Sequence, residues 1–232
     1  MIDMHVHILP GVDDGAKDEQ TSREMMRRAA DMGITHMIAT PHVYRTADQL
    51  RNRRAFGAAR RMAREHGIAL EMGCEFSYRT MRESGVEDLD EFCLGGTKCL
   101  LLEFSNEFLM PHWDAVISEI MDNGYLPIIA HPERYRYIQR DFGIAQAMSD
   151  LGCEMQVDAC GLMAGLLSAE QRTARKLLKE GYVSYIASDA HSPEDYRYFE
   201  KAYRVFRGEW PGENRLLAQL HVQQKEITYD DP

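Results

Sequence analysis

The chain has 232 residues, of which 44% are hydrophobic and 28% charged, with a formal net charge of −10. That length suits one large domain, the apolar fraction can fill a core, and the negative charge argues against a general nucleic-acid binder. No run approaches about 18 apolar residues, so no membrane span is expected, and the opening Met1-Ile2-Asp3 lacks the basic and apolar regions of a signal peptide, which points to the cytoplasm.

The first predicted element is a strand over 2–7 carrying His5 and His7, which share one face because they are two positions apart. The stretch "HILPGVDDG" follows, with Asp13 and Asp14 adjacent. A helical pattern near 18–32 leads to the strand "ITHMIAT" (34–40), after which His42 stands in "ATPH". The next helix, near 47–66, belongs to an arginine-rich stretch: Arg45, Arg51, Arg53, Arg54, Arg60, Arg61 and Arg64 face Asp48 alone between residues 45 and 64. Such a run is ordinarily a solvated helix face; its sharper reading is a positive rim that attracts an anionic substrate.

The strand "IALEMG" (68–73) leads to Glu75 in "MGCEF", and residues 74–98 are the least regular, read as a hairpin or extended loop. Glu103 lies in the strand "CLLLEF" (99–104). After a helix near 112–123, "YLPIIA" (125–130) ends at His131. Helices near 140–151 and 169–180 flank the strand "CEMQV" (153–157), and "YVSYIAS" (182–188) ends at Asp189 and His191. Helical patterns close the chain near 194–207 and 212–222. Gly33, Gly67, Gly124, Gly152 and Gly181 each stand between a helix and the next strand, where a helix-terminating glycine belongs. Strand, helix, glycine, strand reads as βα repetition around a parallel sheet. About seven such units favour a closed or nearly closed barrel over an open doubly wound sheet, whose glycine-rich nucleotide loop is missing after the first strand. No linker or repeat divides the chain, so residues 1–232 read as one domain.

The polar residues collect at the downstream ends of these strands, which in a parallel barrel open on one face. Six strand ends would bring together His5, His7, His42, Glu75, Glu103, His131, Asp189 and His191. Each has an innocent reading alone, but buried carboxylates need a cation or a hydrogen-bond network. Together these residues form a metal-site inventory. His36, His66, His112 and His221 fall off the pattern and read as structural or surface residues. The five cysteines (Cys74, Cys93, Cys99, Cys153 and Cys160) contain no CxxC pair and read as thiols. A cysteine phosphatase would need an arginine six positions after its nucleophile; those positions hold Thr80, Cys99, Ser105, Ala159 and Leu166.

Taken in order, "MHVHILPGVDDG", "ITHMIATPH", "MGCEF", "LLLEF", "PIIAHPERY" and "YIASDAH" resemble the PHP (polymerase and histidinol phosphatase) family. The nearest resemblance is to its metal-dependent protein-tyrosine phosphatases of bacterial capsule and exopolysaccharide loci. It runs from residue 1 to about 192, and the equal steps of 28 residues from Glu75 to Glu103 and on to His131 accord with it. The resemblance implies a distorted (β/α)7 TIM-like barrel, the PHP fold, holding three divalent metal ions. His5, His7, Glu75 and Asp189 would hold one ion. Glu75 would bridge to a second, shared with Glu103 and His131. Asp14, with Asp13 as its alternative, would hold the third with His42 and His191. Arg134 in "HPERY" resembles the arginine that meets the substrate phosphate. A further arginine is expected after the last histidine, where Arg197 is offered without a secure alignment.

A set of imidazoles and carboxylates without thiolate suits Mn, Fe, Zn or Co better than Cu(I), and Mg prefers fewer histidines; Mn2+ is the expected ion. Such ions lower the pKa of bound water, and a metal-bound hydroxide would attack phosphorus in line. Arg134 would stabilise the equatorial charge, and His42 or His191 would protonate the leaving oxygen. Pro132 biases His131 toward extended backbone, which would turn the segment outward, carry Arg134 over the metals and leave Tyr135 or Tyr137 to pack against an aromatic substrate. The expected enzyme is therefore a protein-tyrosine phosphatase acting on a phosphotyrosine protein, the tyrosine-rich tail of a bacterial tyrosine kinase in polysaccharide regulation. The alternatives are histidinol-phosphate or another small-molecule phosphatase on the same fold, and a non-catalytic metal-binding module that recognises a phosphoprotein.

Overall fold

The computed structural model describes residues 1–85, 88–165, 167–208 and 210. Strands and helices alternate from the start: β1 (Ile2–Val6), α1 (Glu19–Asp31), β2 (His36–Ala39), β3 (His42–Val43), α2 (Asp48–Glu65), β4 (Ala69–Met72), β5 (Glu75–Ser77) and α3 (Tyr78–Ser84). There follow β6 (Cys99–Glu103), α4 (Trp113–Asp122), β7 (Leu126–Ala130), α5 (Arg136–Arg140), α6 (Gly143–Leu151), β8 (Glu154–Asp158), α7 (Ala159–Met163), α8 (Ala169–Lys179), β9 (Tyr185–Ala187) and α9 (Tyr196–Phe206). Helix α1 starts where the Asp18 side chain accepts the Thr21 N–H at 2.8 Å, and it buries Met25, Met26 and Ala29 on one face. The five glycines expected between helices and strands all have positive φ; at Gly152 it is 105°, where a Cβ would be strained. The helical pattern at 212–222 and His221 lie outside the described residues. Among those residues no helix is long and apolar enough to cross a membrane.

Among the described residues all strand pairings are parallel, in the orders β1-β2-β4 and β3-β5-β6-β7-β8-β9. β3 and β5 continue β2 and β4 beyond short interruptions, so the two sheets share two of their seven chain passes. The ring closes where Val6 bridges Ala190 in parallel: Asp189 N donates to His5 O at 2.9 Å, and His7 N donates to Ala190 O at 3.0 Å. The architecture is thus a distorted (β/α)7 barrel. The segment 74–98 differs from the expected hairpin or loop: it holds the parallel strand β5, helix α3 and two 3₁₀ turns at Asp90–Phe92 and Leu94–Gly96. Three residues of strand are too few to show a period of two, so the sequence pattern there was silent.

Alternation decides what each strand does. Leu100, Leu102, Ile129, Met155, Val157 and Ile186 pack outward in one cluster with Met25, Ile117, Ile120, Met148, Leu177 and Phe199 of the helices. Ile2, Met4, Ile38, Leu101, Ile128 and Tyr185 form a second cluster inside the ring. Each buried aliphatic side chain contributes roughly 1.5–3 kcal/mol. Following the inward positions along a strand, the chemistry changes from apolar to ionisable: Leu101 gives way to Glu103 and Ala187 to Asp189. β1 needs a further device, because Met4 and His5 have opposite parity. Its register against β2 shifts between Asp3 and Val6, a bulge that lets Ile2 and Met4 face inward below while His5 and His7 face inward above.

Candidate metal centre

The loop after β1 turns back on itself to deliver the acidic pair. Ala16 N donates to His7 O at 3.0 Å, and a Cβ added at Gly15 would lie 2.2 Å from that same oxygen, so the loop closes only over glycine. Asp13 Oδ2 lies 2.8 Å from His7 Nδ1 and accepts the His42 N–H at 3.1 Å, while Oδ1 accepts Gly15 N–H at 3.0 Å. Burial pushes the Asp13 pKa up, but the His7 contact outweighs it and draws the carboxyl down to about 2. Asp14 points the other way. Its Oδ1 is 3.4 Å from both His42 Nε2 and His191 Nε2, so Asp14 rather than Asp13 offers an oxygen to the histidines.

Three donor sets converge at the strand ends: His5, His7, Glu75 and Asp189; His7, Asp14, His42 and His191; and His42, Glu75 and Glu103. In the first, His5 Nε2 lies 3.4 Å from Glu75 Oε2 and 3.2 Å from Asp189 Oδ1, and His7 Nε2 lies 3.3 and 3.2 Å from the same atoms. The two Nε2 atoms are 3.3 Å apart. Four donors about 2.0–2.1 Å from one tetrahedral ion stand roughly 3.3–3.4 Å from each other. The spacing therefore fits a shared cation. Two orphaned atoms support the fit: Glu75 Oε2 and Asp189 Oδ1 are buried without a hydrogen-bond partner.

The set of His42, Glu75 and Glu103 differs in detail from the expected Glu75, Glu103 and His131. His42 Nδ1 stands 3.0 Å from Glu75 Oε2 and 3.8 Å from Glu103 Oε2, whereas His131 Nε2 meets the other oxygen of Glu75 at 2.6 Å. His131 is not extended: its φ of 32° and ψ of 54° are left-handed. The pre-proline bias toward extended backbone is overridden because β7 must stop, aim the imidazole at Glu75 and start the 3₁₀ turn Pro132–Arg134. Asp189 is left-handed as well, with φ 47°, where the chain turns from β9 to close the ring. His191 directs Nδ1–H to the Asp189 carbonyl at 2.9 Å, leaving Nε2 toward Asp14.

Arg134 stands beside the first donor set, and its Nη2 lies 2.5 Å from Asp158 Oδ2 and 2.6 Å from Asp189 Oδ2. A third of its side chain remains exposed. Arg197 sits elsewhere, bonding the Tyr198 hydroxyl and lining a surface cavity with Arg27 and Arg28 of α1. Tyr135 and Tyr137 are buried in the core, with Tyr135 OH donating to Ala130 O at 2.7 Å, so neither can pack against a substrate. That expectation failed because the outward turn ends at Arg134, and the chain then re-enters the core. His36, His66 and His112 stand outside the donor sets. The arginine run divides: Arg53, Arg54, Arg60, Arg61 and Arg64 form an exposed face of α2, while Arg45 and Arg51 line a cavity beside Asp14 and His42.

Sequence reading missed the seventh strand end. On β8 the inward residues Glu154, Gln156 and Asp158 are buried, and their signal was the alternation E-M-Q-V-D. Gln156 Nε2 donates to Asp158 Oδ1 at 2.9 Å, and Gln156 Oε1 lies 2.8 Å from His5 Nδ1. Glu133, also missed, is buried and accepts the Asp158 N–H at 2.8 Å; burial, then the Asp158 carboxylate, push its pKa well above the usual range. Around the first donor set the fields are strong. Burial works to lower the His5 pKa, yet Asp189 and then Glu75 override it and hold the imidazole at about 9. Burial likewise opposes ionisation of Glu75 and Asp189, but the facing histidines, with Arg134 for Asp189, draw both well below the carboxylate range.

The chain is similar to known proteins. The family model described as "Capsular polysaccharide synthesis, CpsB/CapC" matches residues 1–204. The tyrosine-protein phosphatase YwqE of Bacillus subtilis is 32% identical over 199 residues, spanning 83% of this chain and 78% of the relative. The tyrosine-protein phosphatase CpsB of Streptococcus pneumoniae is 24% identical over 244 residues, spanning 100% and 96%. A crystal structure from work on YwqE and CpsB, described as unique metal-dependent tyrosine phosphatases, matches with a TM-score of 0.78 and 28% identity over 92% of this chain and 89% of the other. The chain therefore belongs to the CpsB/CapC family of capsular polysaccharide synthesis.

Proposed function

We propose that this chain is a metal-dependent protein-tyrosine phosphatase that acts in the cytoplasm on a phosphotyrosine protein of polysaccharide control. The observation that carries the reading is the convergence of buried imidazole and carboxylate donors with Arg134 at one mouth of the barrel. Three divalent ions, with Mn2+ foremost, suit three overlapping donor sets that contain no thiolate. When bound, they would supply the Lewis acidity that makes water a nucleophile at neutral pH and offsets phosphate charge. His5, His7, Glu75 and Asp189 would hold one, Glu75, Glu103, His131 and His42 the second, and Asp14, His42 and His191 the third.

The chain's own groups do the rest. Arg134, anchored through Nη2 on Asp158 and Asp189, presents its exposed part to the phosphate and stabilises charge on the equatorial oxygens. Proton donation to the leaving oxygen would fall to His191 or His42 only when its ring nitrogen is released from the third ion, and His191 is the more exposed of the two, at 28% against 12%. Little proton donation is needed, because a tyrosine phenol has a pKa of about 10 and leaves readily. The partner we assign is the tyrosine-rich tail of a bacterial tyrosine kinase. The capsular description of the family and the relatives named tyrosine-protein phosphatases support that assignment.

The test is phosphate release from a phosphotyrosine peptide by purified protein, before and after chelation and Mn2+ addition. Release that is lost on chelation and restored by the metal is the expected result. Full activity in metal-free protein would sink the assignment, and exclusive turnover of small-molecule esters would move it to a biosynthetic phosphatase.

A further inference from the structure

Besides a cavity beside His191, two surface cavities open on the other side of the donor sets, and Tyr44 lines both of them. One, of about 460 Å3, is walled by charge: Asp13, Asp14, Arg45, Asp48 and Arg51. The other, of about 310 Å3, has an aromatic and apolar side of Tyr44, Tyr78, Phe104, Phe108 and Met110 and a polar side that includes Arg79, and Glu103 lines it where it meets the donor sets. Tyr44 and Phe108 are 53% and 59% exposed, which is unusual for residues of their size. Tyr44 is not free to swing. Its ring stacks on the His42 imidazole at 4.8 Å and 22°, and its carbonyl accepts the Thr80 hydroxyl at 2.6 Å.

We propose that the aromatic ring of phosphotyrosine lies in the cleft between Tyr44 and Phe108, with its phosphate at the donor sets next to Glu103. This rests on the phosphatase reading above and names the residues that select the aryl group. An ester substituent leaving the donor sets on this side has the two cavities to choose from. In the charged one, an apolar ring would strip water from Arg45, Asp48 and Arg51 without replacing their hydrogen bonds, a cost without return. In the other, it gains offset or edge contacts with two aromatic rings that are already more than half exposed. Because Tyr44 is pinned to a donor residue, the same ring that packs the substrate also fixes its distance from the site. Phe108 has no such anchor on the donor sets and serves as the outer wall.

Phe108 is therefore the residue to change. The probes are phenylphosphonate and methylphosphonate, which share the phosphonate and differ in the ring, used as competitive inhibitors of the metal-loaded enzyme alongside a phosphotyrosine peptide substrate. Wild-type protein is expected to bind phenylphosphonate more tightly. F108A should raise both KM for the peptide and Ki for phenylphosphonate about fivefold to tenfold, leaving kcat, metal content and Ki for methylphosphonate unchanged. F108Y should restore the phenyl preference, and Arg45→Ala should leave it intact. A phenyl-to-methyl Ki ratio in F108A within twofold of wild type would overturn the proposal, as would a shift in Arg45→Ala equal to that in F108A. Should the protein cleave other phosphate esters but no phosphotyrosine peptide, the phosphatase assignment changes, while the Ki ratio still tests the cleft.

Discussion

Gln156 Oε1 stands 2.8 Å from His5 Nδ1, and this contact decides which imidazole nitrogen faces the carboxylates. The amide nitrogen of Gln156 already donates to Asp158 Oδ1, so only its oxygen is left for His5, and His5 must carry its proton on Nδ1. Asp13 imposes the same tautomer on His7 from the opposite side. Both Nε2 atoms then face Glu75 and Asp189, and each offers a lone pair once its ring gives up its second proton, the arrangement a metal ligand requires.

Replacing Gln156 tests that arrangement. Gln156→Leu removes the acceptor and leaves Asp158 Oδ1 without its amide donor, while Gln156→Glu keeps an oxygen on His5. Loss of such a partner typically costs about 10- to 100-fold in metal affinity. Calorimetric Mn2+ titration should show that loss in the leucine variant and a smaller one in the glutamate variant. The ¹⁵N shifts of His5 should show mixed tautomers only in the former. Wild-type affinity in Gln156→Leu would show that the contact is incidental.

Arg134 joins two carboxylates to the proposed phosphate site. Arg134→Ala should lower kcat/KM on a phosphotyrosine peptide by about 30- to 1000-fold, equivalent to roughly 2–4 kcal/mol of transition-state stabilisation. Arg134→Lys should recover part, since an ammonium cannot make the paired contact. Because Asp158 and Asp189 lose a partner at the same time, metal content must be measured in the same preparations. Turnover within about twofold of wild type at full metal occupancy would reduce this arginine to a structural ion pair.

Metal affinity should depend on pH through His5. Its folded-state pKa is raised from 6.5 to about 9, so the bound proton stabilises the metal-free fold below pH 6.5, and that stabilisation fades as pH rises through 9. A metal ion must displace that proton, so affinity should fall as pH drops below about 9. Titrations between pH 6.5 and 9.5, in buffers of different ionisation heat, measure both the affinity and the released proton. A flat profile with no proton release would contradict the coupling.

Much of this was legible in the sequence because strand ends and helix-ending glycines recur on a fixed plan. The bulge in β1 was not: nothing local distinguishes Met4 from His5, and parity switches only because ring closure at Val6–Ala190 demands it. Asp158 escaped notice for a different reason. Its strand ends in a carboxylate like the others, but Gln156 and Asp158 act on the histidine and arginine behind the donor sets, where ligand-type residues alone leave no mark. Tyr44 likewise follows a donor residue in sequence, yet only the fold puts its ring against His42 and on the same cavity as Phe108.

The cysteines should be dispensable for chemistry. Cys74, Cys93, Cys99 and Cys153 are buried, and burial pushes Cys93 and Cys153 up to about 12, so neither supplies a thiolate at neutral pH. Cys160 is exposed, and Cys160→Ser should keep turnover within about twofold. Iodoacetamide should then leave that variant fully active. Specific loss in a folded variant that retains its metals would count against the metal mechanism.

Two glycines should respond to alanine in opposite directions. At Gly57, in α2, an added Cβ meets nothing within 4 Å, and relief from backbone entropy should stabilise the fold by roughly 0.5–1 kcal/mol. At Gly15 the same methyl would come 2.2 Å from His7 O and 2.4 Å from His7 Cβ, and neither atom belongs to a flexible side-chain end. The loop from His7 to Ala16 must then open, taking Asp13 from His7 and Asp14 from His42 and His191. Gly15→Ala should therefore lose metal stoichiometry first at the Asp14 set and only secondarily lose thermal stability. Metal analysis and unfolding curves of the two variants decide the point, and unchanged metal content in Gly15→Ala would mean that the loop tolerates the clash without moving its carboxylates.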